Sequence, residues 1–244
     1  MLLSGGCATS DPGAIKGRHV VVRTADPAIP PETMTALAQR GDRVFAKLGS
    51  FFGRSIPEPV LINLGTKHPV SKSYADKNTI GFPKSVVDRN IVIIAHEMTH
   101  LFMPEHHLEA LREGIAVYAQ DRFGEVTGYP NYGVDLDQAI RSRLKKRIDP
   151  PVYSFSTAET FFRRARAPAG DANKLKWKDI NQADRRNAYL LGGSFARYLL
   201  EVELHGDMAR FRQLYMTGDV KSVTGKEIAE IEAAWLREIG LKRP

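Results

Sequence analysis

Cysteine is almost missing from this 244-residue chain. Cys7 is the sole example, so no internal disulfide can form, and a lone thiol fits either a cytosol or a cell envelope. Long apolar runs are missing too: no stretch approaches the roughly eighteen apolar residues that a membrane-spanning helix needs. No internal repeat or low-complexity tract is present. Zinc-finger spacings, helix-turn-helix patterns and aromatic–basic RNA motifs are lacking, which removes the usual means of specific nucleic-acid recognition. What remains is ordinary globular composition, 43% hydrophobic and 26% charged, in a chain long enough to bury one sizeable core as one domain of two lobes. The net charge of +7 is carried partly by two basic clusters, RSRLKKR (141–147) and RRAR (163–166). Such clusters suit anionic lipid or an acidic wall polymer, and most often they are simply a solvated helix face.

Histidine is scarce as well, with seven in the chain, yet two of them fall in the ten residues IIAHEMTHLF (93–102). On a helix, residues four apart share a face, so His96 and His100 point the same way and both imidazoles can reach one tetrahedral ion. Glu97 projects about 100° around the axis. That places it beside the ion, where a general base for an activated water should stand. Ile91, Val92, Ile94, Ala95, Leu101 and Phe102 make this the most apolar helix candidate in the chain. Polar groups inside such a helix are costly unless something satisfies them, and a cation would. The bland reading, two surface or hydrogen-bonded core histidines, fits so apolar a helix less well.

A catalytic zinc needs a third protein ligand and an open position. His106 lies six residues past His100, the spacing of the metzincin motif His-Glu-x-x-His-x-x-Gly-x-x-His, but Met103 stands at the glycine of that motif. Pro104 follows, so the helix should stop near Met103. Glu113 lies in LEALREGIAVYAQD (108–121), which reads as a helix with Leu108, Leu111, Ile115 and Tyr118 on one stripe. Its helical neighbours are Ala110, Ala116 and Val117, and Gly114 beside it leaves room for another backbone. A carboxylate among small apolar residues wants a cation, and one held by the preceding helix is the economical choice. Glu109, one turn earlier on a similar face, competes for the role.

Along the rest of the chain, RHVVVRTA (18–25), EPVLINLG (58–65) and NTIGFP (78–83) read as strands, and a helix should run from near Pro31 to Gly53. Beyond Asp121 strand signals disappear. Helical patterns follow at 134–147, 156–166, 182–205, 207–216 and 224–240. The expected architecture is therefore α+β, with a mixed N-lobe (18–125), a mostly helical C-lobe (126–244) and a cleft along their junction. GGSFA (192–196) approaches a serine-hydrolase elbow, but Ala196 replaces the last glycine and NAYLL before it reads as helix, so close helix packing explains it better.

HEMTH followed by LREGIAVY resembles the gluzincin metallopeptidases, peptidase-MA-like bacterial members included, in which a second helix with a Glu-Gly-(Leu/Ile)-Ala signature supplies the third ligand. The twelve residues between His100 and Glu113 are fewer than in the better-known gluzincins. YLLGGSFARYLLEVELHG (189–206) and TGKEIAEIEAAWLREIG (224–240) are similar to C-terminal helices of that superfamily, so the resemblance spans about 78–240. It implies a zincin-like fold with a small mixed sheet, one zinc per chain on His96, His100 and Glu113, and hydrolysis of a peptide or protein substrate. Glu97 would take a proton from the attacking water and pass it to the leaving nitrogen. The developing oxyanion needs a second donor from the C-lobe, with Tyr189 the first choice and His205 the second. In the resembled fold the strand before the zinc helix is a sheet edge that pairs with extended substrate, which assigns substrate binding to Thr79, Ile80 and Gly81. The alternative function is a non-catalytic, zinc-stabilised binding protein of the envelope.

The start, MLLSGGCATSDPG, resembles the end of a bacterial lipoprotein signal in which Cys7 would be lipidated, although Ser4 stands where leucine is usual. Residues 1–17 are then a truncated signal or flexible lead. This reading implies the bacterial cell envelope, with an anionic membrane or cell-wall surface as neighbour; a cytoplasmic location is the alternative.

Overall fold

The computed structural model describes residues 13–144, 154–176 and 179–241. Cys7 and its lipidation therefore lie outside the described residues. Five short strands form one mixed sheet: β1 (Ala14–Lys16), β2 (Val20–Thr24), β3 (Val60–Leu64), β4 (Lys72–Tyr74) and β5 (Thr79–Phe82), in the order β1-β2-β3-β5-β4. β2, β3 and β5 run parallel, with Val22 opposite Ile62 and Ile62 opposite Ile80. Their side chains are mostly buried, as parallel strands require. β1 and β4 add antiparallel edges.

The crossover between β2 and β3 is α1 (Pro31–Phe52). Proline at its first position needs no backbone donor, and Gly53, at φ 58°, turns the chain left-handed to close the last turn onto the Gly49 carbonyl. Met34, Leu37, Val44, Leu48 and Phe52 mark its buried stripe. After β5 come α2 (Lys84–Asp88), α3 (Ile94–Phe102) and α4 (Glu109–Phe123). The remaining helices are α5 (Leu136–Leu144), α6 (Phe155–Arg166), α7 (Gln182–Tyr198), α8 (Met208–Thr217), α9 (Val220–Thr224) and α10 (Ile228–Glu238). α7 runs on as a π turn, Leu199–Glu203. Among the described residues no strand follows Phe82, and no helix is long and apolar enough to cross a membrane. The molecule is thus α+β with a small mixed sheet. One continuous cluster of buried side chains joins the sheet to the later helices.

α4 is the spine of this arrangement. From Ala110 to Gln120 every residue except Arg112 is buried, so the helix has almost no solvated face and packs against α3, α6 and α7. Its approach to α7 is the tightest. A β-carbon on Gly114 would stand 2.2 Å from the Gly192 carbonyl oxygen, and one on Gly192 would stand 2.7 Å from the Ala110 carbonyl oxygen. The GGSFA stretch therefore serves helix packing. Inside it, the buried Ser194 hydroxyl bonds Asp137 and accepts a hydrogen bond from Trp235 Nε1 at 2.9 Å, with no histidine at hand.

Several sequence expectations are revised. β1 and β4 are additional strands, each three residues long. The pattern at 224–240 is broken at Gly225, which adopts φ 79° and separates α9 from α10. β5 is an inner strand: Thr79, Ile80 and Gly81 are paired with β3 on one side and β4 on the other, so they offer no free edge to a substrate. The edge at that end of the sheet belongs to β4. Basic residues also serve packing: Arg141 donates to the Ile239 carbonyl, and Arg143 donates to Asn187 Oδ1 at 2.6 Å. Residues 145–147 of that cluster lie outside the described residues.

If the α4–α7 crossing depends on backbone contact at Gly114, then Gly114→Ala should destabilise the protein by about 3 kcal/mol, because backbone cannot yield as a side-chain tip would. Urea denaturation followed by circular dichroism reads this, and an unchanged midpoint would mean that the helices do not meet there backbone to backbone.

Candidate metal centre

α3 is short, and each of its nine residues is buried. Its start is held by Gln120 of α4, whose side-chain oxygen accepts from the His96 backbone N–H at 3.2 Å while its amide donates to the Val126 carbonyl. It ends at Met103, before Pro104, as the restriction on residues preceding proline requires. Met103 sits at φ −130°, so the chain makes no left-handed turn where the metzincin motif has glycine. Its carbonyl accepts from Tyr215 at 3.0 Å.

The i, i+4 spacing places the His96 and His100 rings 5.1 Å apart and nearly perpendicular. Glu113 approaches both from α4: its Oε2 lies 3.3 Å from His96 Nε2 and its Oε1 lies 3.6 Å from His100 Nε2. Donor atoms of these three residues all fall within 4.8 Å of one another, a grouping found nowhere else among the described residues. Ligand atoms about 2.1 Å from a tetrahedral ion stand about 3.4 Å apart, close to the two imidazole–carboxylate separations, which involve different oxygens of Glu113. The 3.6 Å separation is also too long for a hydrogen bond.

Electrostatics favour the same use. Burial drives His100 well below the ordinary imidazole range despite the nearby Glu113 carboxylate, so the ring is neutral and keeps a lone pair. Burial alone would raise Glu113, but the Arg166 guanidinium and a hydrogen bond from His96 hold it well below the usual carboxylate range. Metal ligands must be deprotonated, and both groups are. Buried Nδ1 atoms of His96 and His100 have no hydrogen-bond partner among the described residues. Two buried imidazoles whose Nε2 atoms face one ionised carboxylate make a donor set that could hold a divalent cation. Glu97 is displaced the other way. Burial foremost, with Glu113 adding to it against the pull of His96, pushes its carboxyl up to about 7.

Glu97 and the three cluster residues line a cavity of about 510 Å³ that opens between β4, the Tyr129–Tyr132 loop, α6 and α7. Tyr189 of α7 lines it too, its ring 6.2 Å from that of His96. Burial raises the Tyr189 phenol, which therefore remains a neutral O–H donor. Ser71, Lys72 and Ser73 bring the β4 edge to the same cavity.

The sequence reading placed His96, Glu97, His100, Glu113 and Tyr189 in one site, and the structure brings those five side chains to one cavity. His106 and Glu109 lie apart from the cluster, paired with each other at 3.2 Å, and His106 Nδ1 contacts the Pro104 carbonyl. His205 is exposed, at φ 52° after the π turn, and does not line the cavity. Two cavity residues that meet Glu113 escaped the sequence reading. Arg166 belongs to a cluster expected to be solvated, yet it pairs with Glu109 and Glu113. A signal was available, since Phe162 and Arg166 are four apart and the buried aromatic face of α6 continues into the arginine. Arg112 also reaches Glu113, at 3.4 Å. The sequence matches no protein-family model and no curated protein at a significant level.

These distances predict one divalent ion per chain. Mass spectrometry of metal after loading with zinc, cobalt or manganese and desalting should give near-stoichiometric metal for wild type and His106→Ala. Glu113→Ala should lose at least about tenfold in metal content. Loss in His106→Ala with retention in Glu113→Ala would overturn this ligand set.

Proposed function

We propose that the chain is a zinc-dependent peptidase of gluzincin type with a zincin-like catalytic fold. The observation that carries the reading is the meeting of two α3 imidazoles with an α4 carboxylate while Glu97 stands free of that ligand set on the cavity wall. A site that only braced the fold would need neither the cavity nor a carboxylate with a raised pKa beside the ligands. Two nitrogen donors and one carboxylate, with one face left open, are the ligand chemistry of catalytic zinc. Zinc, when bound, would supply Lewis-acid polarisation of the scissile carbonyl and acidify a water.

The chain's own residues supply the rest. Glu97, at a pKa of about 7 before any cation is added, accepts a proton from the attacking water on a carboxylate oxygen and returns it to the leaving nitrogen. Tyr189 donates its O–H to the oxygen on which charge develops. Extended substrate pairs with the outer edge of β4, which takes over the role expected of Thr79–Gly81. Aromatic side chains from α6, Phe161 and Phe162, and from the Tyr129–Tyr132 loop keep the far wall dry.

A second reading, a non-catalytic binding protein that keeps the two helices as scaffold, draws on the Arg166–Glu113 ion pair, which compensates the buried carboxylate without any metal. One experiment separates them. Wild-type protein should hydrolyse members of a mixed peptide library, and Glu97→Gln should retain zinc while losing about 10³-fold in kcat/KM. Zinc binding with no hydrolysis of any library peptide would favour the binding protein. Within the peptidase reading, Tyr189→Phe should lower kcat about 10²-fold with little change in KM, because the bond it removes forms in the transition state.

A further inference from the structure

Glu113 has two claimants. Its Oε1 accepts hydrogen bonds from Arg166 Nη2 and, at 3.4 Å, from Arg112, while His96 Nε2 faces its Oε2. A second nitrogen of the same guanidinium, Arg166 Nη1, bonds Glu109 Oε2, and Arg112 approaches that oxygen at 3.8 Å. In this network Arg112 and Arg166 balance Glu109 and Glu113 one for one. A divalent ion held by His96, His100 and Glu113 would add two charges to a cluster that is already balanced. Two cations sharing one buried carboxylate repel each other, and the water that would screen them is largely excluded. The claimants also differ in freedom. Glu113 is fixed on α4 with its side chain 3% exposed, whereas the Arg166 side chain is 31% exposed at the last residue of α6. Its bond to Glu109 uses a different nitrogen, so the guanidinium can release Glu113 without losing its other carboxylate.

We propose that Arg166 and the metal compete for Glu113: the guanidinium holds the carboxylate until the ion arrives, shifts onto Glu109 when it does, and sets metal affinity below what the three ligands alone would give. The inference rests on the ligand set of the peptidase reading and adds a control over its loading; hydrolysis plays no part in it. Coupling of this kind is reciprocal, so the factor by which the arginine weakens zinc binding is the factor by which zinc weakens the Arg166–Glu113 bond. The competition also separates folding from loading. With Arg166 in place the buried charge is compensated in metal-free protein, so the chain folds first and takes up the ion afterwards. Small domains whose structure depends on their metal have no such resident cation and gain fold and ion together.

Zinc affinity reads the competition directly. Wild type, Arg166→Gln and Arg89→Gln are stripped of metal and titrated with zinc against a chromophoric chelator of known affinity. Arg166→Gln should bind zinc about tenfold or more tightly than wild type. Arg89 lines the same cavity, is exposed and donates to the Ser85 carbonyl. Arg89→Gln therefore removes one positive charge without touching Glu113, and it should stay within about twofold of wild type. Thermal denaturation gives the second readout. Metal-free Arg166→Gln should melt below wild type, and an equal concentration of free zinc should raise its midpoint by more than it raises that of wild type. Equal or weaker zinc binding by folded Arg166→Gln would overturn the proposal, as would the same tightening in Arg89→Gln, which would mark a general charge effect. So would an Arg166→Gln protein that stays unfolded in saturating zinc, because the ion should then replace the guanidinium. Zinc binding by none of the three proteins would remove the ligand set itself and the competition with it, whereas a failed peptidase assay leaves both standing.

Discussion

A single ionised carboxylate on the central helix α4 sets the terms for everything packed around it. Glu113 is 2% exposed on α4, a helix with almost no solvated face. An unpaired charge in that position would cost several kcal/mol, so neighbouring elements must bring positive or coordinating groups to one point. α3 brings two imidazoles, α6 brings Arg166, and α4 itself contributes Arg112. Each of those elements is held near α4 by apolar packing, but the carboxylate decides which of their side chains turn inward. Arg166 lies on the face of α6 that already carries Phe162, and that face meets α4.

Within this dry space two carboxylates are pushed apart. Glu113, surrounded by nitrogen, stays ionised; Glu97, one residue along the helix from His96 and without an ion pair among the described residues, rises toward neutrality. Pairs of acids displaced in opposite directions divide roles, one holding a charge fixed and the other exchanging a proton near neutral pH. The proposed chemistry needs that division. Sequence spacing alone does not contain it, because the difference comes from which helix each residue sits on and what faces it.

Legibility followed distance along the chain. His96, Glu97 and His100 share little more than one helical turn, so their geometry is set by helix periodicity and could be read directly. Glu113 was readable because its immediate neighbours are small and apolar, a local oddity with a physical cost. β4 was not readable: Lys-Ser-Tyr carries no alternating pattern, and it becomes a strand only because a turn at 75–77 folds it onto β5. That hidden strand is why the edge was assigned to β5 instead. Arginines 163, 164 and 166 look alike in sequence yet meet different partners, Glu159, the Asn173 carbonyl and the Glu109–Glu113 pair. Only tertiary packing, 53 residues away for Arg166 and Glu113, separates them.

The glycine contact between α4 and α7 couples parts that were introduced separately. Gly114 adjoins Glu113, and Gly192 lies three residues from Tyr189, so the bare backbone crossing fixes the separation of these two side chains as a hinge pin fixes two plates. Such a joint has no slack to spend. The opposite side of the cavity is built differently, from an edge strand of three residues and an aromatic loop at 129–132. Sequence change that reshapes this cavity is therefore accommodated at that outer wall, while the helix crossing, and the spacing it gauges, tolerates none.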